Sequence, residues 1–432
     1  MLDDTLALPS ASLGARQRWT IFVASTGGAL EVFDFVIYGF FAQHIGRAFF
    51  PPGLGLAPAT LSFAVLAIGH LSRPLGGLFL GRLGDKIGRR VVFMSSALVA
   101  ALATLAIGML PSYATLGIAA SVALLALRLV QGLCLGGELP GALVYAIETG
   151  SAHPGLRCGF VFVAVNLSLL VASCVNLGVH LLLDAAQADA FGWRIAFLLG
   201  GICGLAIFAL RRTLDESEEY ARAPGRRHRE PLAVLFRDHL KPLATGIGAG
   251  MLTGVTGGLF IAFMPSWLQT LGYSARCVAW AQTLYVIVIA VCIPLTAQAG
   301  DRFSRRRVYR TGAVLSLLLA PALFMAIVDL HANLATLLFI AGAVASFTNG
   351  TYGCAIAELF PVDVRFSGVA AAMNLGLAVT MGLTPLAASF LSADLHWTPA
   401  PALVMMAGAL VAFAASFGMA RGKPLDEMAS QR

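Results

Sequence analysis

Six ionisable side chains fall where the sequence is otherwise apolar: Glu31, Asp34, His70, Arg73, Arg128 and Glu138. A charge at mid-bilayer costs on the order of 2.5–3.5 kcal/mol on insertion scales, so such groups face a cavity or one another. Glu31, Asp34, Phe35 and Tyr38 recur at i, i+3, i+4 and i+7 and share one helical face. Two carboxylates one turn apart can load a proton on one side of a membrane and release it on the other, with Arg128 and Glu138 as further members of the path. The same residues can instead form a static ion-pair network with Arg73 or Arg128 that only holds helices together. His70 and Arg73 also share a face, and with Arg128 they are the groups available to an anionic solute. Arg128 equally suits a structural role.

Uncharged polar residues add pocket walls. Asn166, Ser173, Asn176 and His180 recur on one apolar segment; Ser346, Asn349 and Tyr352 on another; Asn374, Thr253 with Thr256, and Gln282 with Tyr285 mark three more. Any one of these can be interhelical glue. Together, on five helices, they predict a central polar cavity.

The elements that must position these groups are long. Hydrophobic residues make up 58% of the 432 residues and charged residues 12%, far from the soluble average of about a quarter charged. Crossing ~30 Å of hydrocarbon takes about 20 helical residues. Twelve segments qualify, numbered here as spans 1 to 12: roughly 20–42, 58–80, 91–110, 115–140, 158–182, 193–211, 242–268, 277–298, 309–329, 334–356, 366–390 and 399–420. The strands of a membrane barrel would be ~10 residues long and alternate in polarity, so a barrel is excluded.

The chain also repeats itself. Gly-Arg-Leu-Gly-Asp-Lys-Ile-Gly-Arg-Arg at 81–90 returns in degraded form around Asp301, half a chain after Asp85, and Glu148 with Arg157 is echoed by Glu358 with Arg365. Repeated loops at the half-length predict two homologous six-helix bundles, 1–211 and 241–432, joined by a polar linker at 212–240. Parallel halves with a site between them are a transporter architecture.

The net charge of +7 is distributed as a topology signal. With both termini inside, 24 of the 29 Lys and Arg fall on the inner side, leaving Arg47, Arg194 and Arg276 outside and Arg73 and Arg128 within spans. That is the positive-inside pattern, so both termini are expected in the cytoplasm and no nucleic-acid surface is expected. Span 1 carries two acids and follows Asp3 and Asp4, unlike a removable leader. The seven Cys show no metal-ligand spacing. No HExxH, GxSxG or Cys/His cluster marks an enzyme, and the linker and short tails offer no signalling module.

The loop at 81–90 resembles the signature loop of the major facilitator superfamily, and Arg128-Leu-Val-Gln-Gly its span-four motif. Gly28 to Ala42, ending at Ala48 to Pro51, resembles span one of the metabolite:proton symporters. So do Arg73-Pro-Leu-Gly-Gly, Gly136-Gly-Glu-Leu-Pro-Gly, Arg211 to Glu218 and Glu358 to Arg365. Glu31-Val-Phe-Asp34, Glu138-Leu139, Asn349-Gly350 and Gly382 to Pro385 look most like the citrate and tricarballylate branch. Pro140 interrupts a usual Gly-Gly, and Ala297 and Ser304 replace loop glycines of the second half, which should weaken that loop as a latch.

The resemblance implies an inner-membrane, monomeric proton symporter that imports an organic anion by alternating access and needs no cofactor beyond the proton. The solute would be citrate or a related tricarboxylate, or alternatively a dicarboxylate or a zwitterion such as proline or betaine. It assigns proton coupling to Glu31, Asp34, Arg128 and Glu138. Solute binding would fall to His70, Arg73, Arg128, Asn166, His180, Asn349, Tyr352 and Asn374. Gating would fall to Asp85, Arg89, Glu148, Arg157, Asp301, Glu358 and Arg365.

Overall fold

The computed structural model describes residues 29, 32–51, 56–77, 79, 89–134, 136, 138–148, 154–211, 231–329, 333–394 and 399–419. The described residues are helical almost throughout and contain no strand. Span 1 is helical over 32–40 and continues in Ala42–Phe49; its earlier part lies outside the described residues. Spans 2 and 3 appear as Pro58–Leu71, which the chain extends to residue 77, and Arg89–Met109. Span 5 is Pro154–Leu182, and span 6 is Trp193–Arg211 entered through a π-turn at Ala188–Gly192.

Span 4 departs from its expected bounds. The helix Ile118–Cys134 stops before a turn at Gly136, and a second helix, Glu138–Glu148, follows. Gly136 sits where a Cβ would come within 2.7 Å of the Arg73 carbonyl and the Gly77 amide, so backbone meets backbone there and only glycine fits. Pro140 stands in the first turn of the second helix, where a missing N–H leaves no bond unmade.

In the second half, span 7 runs Leu240–Gly257, Gly258–Phe263 and Met264–Thr270, with the middle piece a π-helical turn. Span 8, Ala275–Ala299, starts at Ser274, whose hydroxyl accepts from the Cys277 amide. A π-turn at Gly300–Ser304 leads into span 9, Arg305–Val328, with Ser304 extended (φ 165°, ψ 129°) where the chain reverses. Span 10, Leu334–Ala357, is capped by Asn333. Span 11 runs from Val362–Ala372 through Met373–Ala378 to Val379–Asp394, and span 12 is Pro401–Ala415. The last part of the expected linker is a helix, Pro231–Asp238, which buries Leu235 and packs against Val362–Ala372.

The packing is that of two related halves. Span 3 lies on span 6 as span 9 lies on span 12. Across the seam, span 2 packs on span 11 and span 8 on span 5. Exchanging the halves maps each of these seam pairs onto the other. Glycines set the approach: a Cβ on Gly39 would meet the Ala262 Cα at 2.6 Å, and one on Gly382 the His70 Cβ at 2.4 Å.

Candidate functional site

Asp34 of span 1 is 6% exposed and Arg128 of span 4 is 4% exposed. Arg128 Nη1 donates to Asp34 Oδ2 at 2.6 Å. The Thr104 hydroxyl of span 3 donates to Asp34 Oδ1 at 3.2 Å and accepts from Gln131 Nε2 at 2.8 Å. The guanidinium lies 3.9 Å from the Tyr38 ring centroid and 5.6 Å from that of Phe197, a cation–π arrangement worth most when desolvated. Tyr38 donates to the Ser62 carbonyl at 3.2 Å. Two of the guanidinium's nitrogens, Nε and Nη2, meet no hydrogen-bonding group of the protein. A buried pair of this kind depends strongly on both partners, since removing one leaves the other's charge uncompensated.

His70 closes the other side. Its Nδ1 lies 3.0 Å from the Leu66 carbonyl, which makes Nδ1 the donor, and Phe35 meets its ring edge-on at 4.7 Å. Its Nε2 meets no protein partner. Asp34, His70, Arg73, Arg128 and Gln131 line one cavity with room for little more than a water molecule. The helix-face spacing thus brings four of the expected residues together, Asp34, His70, Arg73 and Arg128, as a compact charged cluster inside the first half. Thr104, Gln131 and Tyr38 complete it. Gln131 could have been read from its i+3 spacing to Arg128; Thr104 carries no sequence signal.

The seam between the halves is closed at both ends among the described residues. At the end where span 5 begins, Asp301 accepts from the backbone amides of Gly155 and Leu156, each at 2.9 Å. Arg305 holds Asp301 at 2.9 Å and Glu358 at 3.0 Å. Burial pushes the Glu358 carboxyl up from its ordinary value, against the lowering effect of Arg305. The second-half loop, expected to be a weak latch, is therefore docked. Ala297 is accommodated because Gly159 faces it, at 2.9 Å from where a Cβ would sit. Arg305, absent from the expected gating set, was legible at i+4 from Asp301. At the far end, the Thr60 and Ser389 hydroxyls of spans 2 and 11 hydrogen-bond, and Phe63 packs on Phe263 with centroids 6.1 Å apart.

The remaining expected residues are dispersed. Asn374 is a strut across the seam, its Nδ2 donating to the Gly136 carbonyl at 2.7 Å and to Ala370 at 3.0 Å. Asn166 and Asn349 donate to the carbonyls of Phe162 and Ala345 one turn back. Tyr352 is fully buried edge-on to Phe162, with its hydroxyl unpartnered within the protein. His180 sits at the far end of span 5, stacked on Phe41 and 6.1 Å from His44. That places it beside the Arg47–Asp189 pair rather than at the Asp34 cavity. Arg157 is half-buried near the latch, and Arg365 donates to the Phe360 carbonyl at 3.2 Å. Glu31 and Asp85 lie outside the described residues, as do the side chains of Arg89, Glu138 and Glu148.

A helical membrane chain with two exchangeable halves, a polar seam closed at both ends and a charge cluster beside it is a transporter and not an enzyme. Residues 20–237 match the Sugar (and other) transporter family and residues 246–429 the Major Facilitator Superfamily. The chain belongs to the major facilitator superfamily. It is 32% identical over 438 residues to the proline/betaine transporter of Escherichia coli K12, covering 96% of this chain and 84% of that one. It is 30% identical over 383 residues to the citrate-proton symporter of Klebsiella pneumoniae, covering 87% and 85%. A crystal structure of a D-xylose-proton symporter superposes with a TM-score of 0.74 at 20% identity, covering 94% of this chain and 99% of that one, which shows the shared fold.

Proposed function

We propose that this protein is a proton-coupled symporter of the inner membrane that imports a small zwitterion bearing one carboxylate, of the proline or betaine kind. The observation that carries this reading is the Asp34–Arg128 pair. With Asp34 ionised, the guanidinium is neutralised and two of its nitrogens stay idle. A proton on Asp34 removes that counter-charge, and the solute carboxylate takes its place on the guanidinium fork. Proton and solute then favour the same state, which is what coupling requires, since a ligand shifts a population only by its differential affinity. One released cation matches one carboxylate.

This reverses the order of solutes expected from the sequence. The tricarboxylate reading keeps one specific support: His70 and Arg73 line the same cavity as Arg128, so three basic groups could meet a polyanion. In both readings the two bundles, 1–211 and 241–432, rock about the seam with both termini cytoplasmic. Asp301, Arg305 and Glu358 latch the inner end, the gating role also expected of Asp85, Arg89, Glu148, Arg157 and Arg365. A thermal-shift screen of the purified protein against proline, glycine betaine and citrate separates the readings, because a ligand of the native state raises its apparent stability. Stabilisation by a zwitterion supports the first reading; stabilisation by citrate alone replaces it with the second.

A further inference from the structure

Spans 5 and 8 pack on each other along the seam, and the face of span 5 that carries Gly155 and Gly159 against Asp301 and Ala297 also carries Asn166, Ser173 and Asn176 at helical spacing. The docking of Asp301 on the Gly155 amide and the approach of Gly159 to Ala297 share one antiparallel register. Stepping that register along the pair brings Gln282 level with Ser173 and Asn176. All three are buried, at 0%, 0% and 3% exposure. None completes its hydrogen bonds within the protein: both amide atoms of Gln282, the Ser173 hydroxyl and Asn176 Oδ1 meet no partner. Asn166 Oδ1, two turns below Ser173, is in the same condition, because the Asn166 amide nitrogen is committed to the Phe162 carbonyl.

Buried polar atoms in native proteins are rarely left unmatched, and several gathered at one height call for a common partner. The set is biased toward acceptors. Asn166 donates to the carbonyl one turn back and presents only its oxygen, Asn176 leaves its oxygen unmatched, and Gln282 adds a further carbonyl oxygen beside its unmatched amide nitrogen. Three amide oxygens against one amide nitrogen, with no cation among them, favour a positive group over a carboxylate.

We propose that Gln282, with Ser173 and Asn176, forms a second solute subsite that receives the cationic end of a zwitterion. The assignment rests on the zwitterion reading of the function and adds the residues that would select for it. Gln282→Leu keeps the volume and removes the amide. In purified protein, its affinity for proline and glycine betaine should fall at least tenfold by calorimetry, while the melting temperature without solute stays level or rises. Gln282→Glu, which keeps an acceptor and adds negative charge, should retain binding of both. Wild-type affinity in Gln282→Leu would overturn the subsite and leave these atoms with hydration only. Loss of binding in Gln282→Glu equal to that in Gln282→Leu would overturn its polarity. A wild-type protein that binds citrate and neither zwitterion would instead overturn the reading of the function, and the cation subsite with it.

Discussion

Asp301 and Gly155 lie 146 positions apart in the sequence and 2.9 Å apart in the structure, joined by a hydrogen bond from a backbone amide to a carboxylate. The same carboxylate takes the next amide, Leu156, at 2.9 Å. A loop of the second half thus caps the first turn of a helix of the first half, where the helix dipole and unpaired N–H groups favour negative charge. Hydrogen bonds to a charged group are worth about 1.5–3 kcal/mol each. Such a contact suits the latch proposed for this end, strong enough to hold the seam shut and weak enough to break during transport.

Asp301→Asn should therefore loosen that end. The transport rate should fall severalfold while equilibrium solute affinity stays within a few fold, because Asp301 touches no part of the charge cluster. The native thiol Cys158, 1% exposed and one turn from Gly155, gives the readout. In a background with Cys158 as the sole cysteine, its labelling by a membrane-permeant maleimide should speed up in the variant. Unchanged labelling with an unchanged rate would mean that Asp301 is not a latch.

Gly382→Val tests the opposite half of the seam. A Cβ there would come within 2.4 Å of the His70 Cβ, and both atoms belong to packed helices that cannot yield cheaply. The variant should fold, insert and lose most transport, because spans 2 and 11 can no longer close. Normal uptake by a normally expressed Gly382→Val protein would show that this approach is not part of the cycle.

Arg128→Lys keeps the charge and removes the planar fork. The buried pair with Asp34 should survive weakened, with a melting temperature lowered by several degrees, and affinity for a carboxylate solute should fall tenfold or more. A solute affinity equal to wild type would remove Arg128 from the binding site.

The spans were legible because helical periodicity, length and the half-chain repeat all point the same way. Spans 5, 7, 8, 9 and 10 fall within a few residues of their expected ends. Span 4 was not, because a long apolar run hides the turn at Gly136, whose cause is the backbone of Arg73 and Gly77 on another helix. That Asp34 would meet a buried cation follows from charges set in apolar spans. Which of Arg73 and Arg128 would pair with Asp34 depends on how spans 1, 2 and 4 cross, and no local pattern encodes that. His180 shares the polar stripe of Asn166 yet ends beside Phe41 and His44, because the helix rise of about 1.5 Å per residue carries it about 20 Å further along span 5.

The central claim is that Asp34 carries the coupled proton, and uptake of labelled proline or glycine betaine into proteoliposomes under an imposed pH gradient tests it most directly. Wild-type protein should accumulate the solute when the lumen is alkaline. Asp34→Asn should bring it only to equilibrium while still exchanging labelled for unlabelled solute across the membrane. Accumulation at the wild-type level by Asp34→Asn would contradict the account.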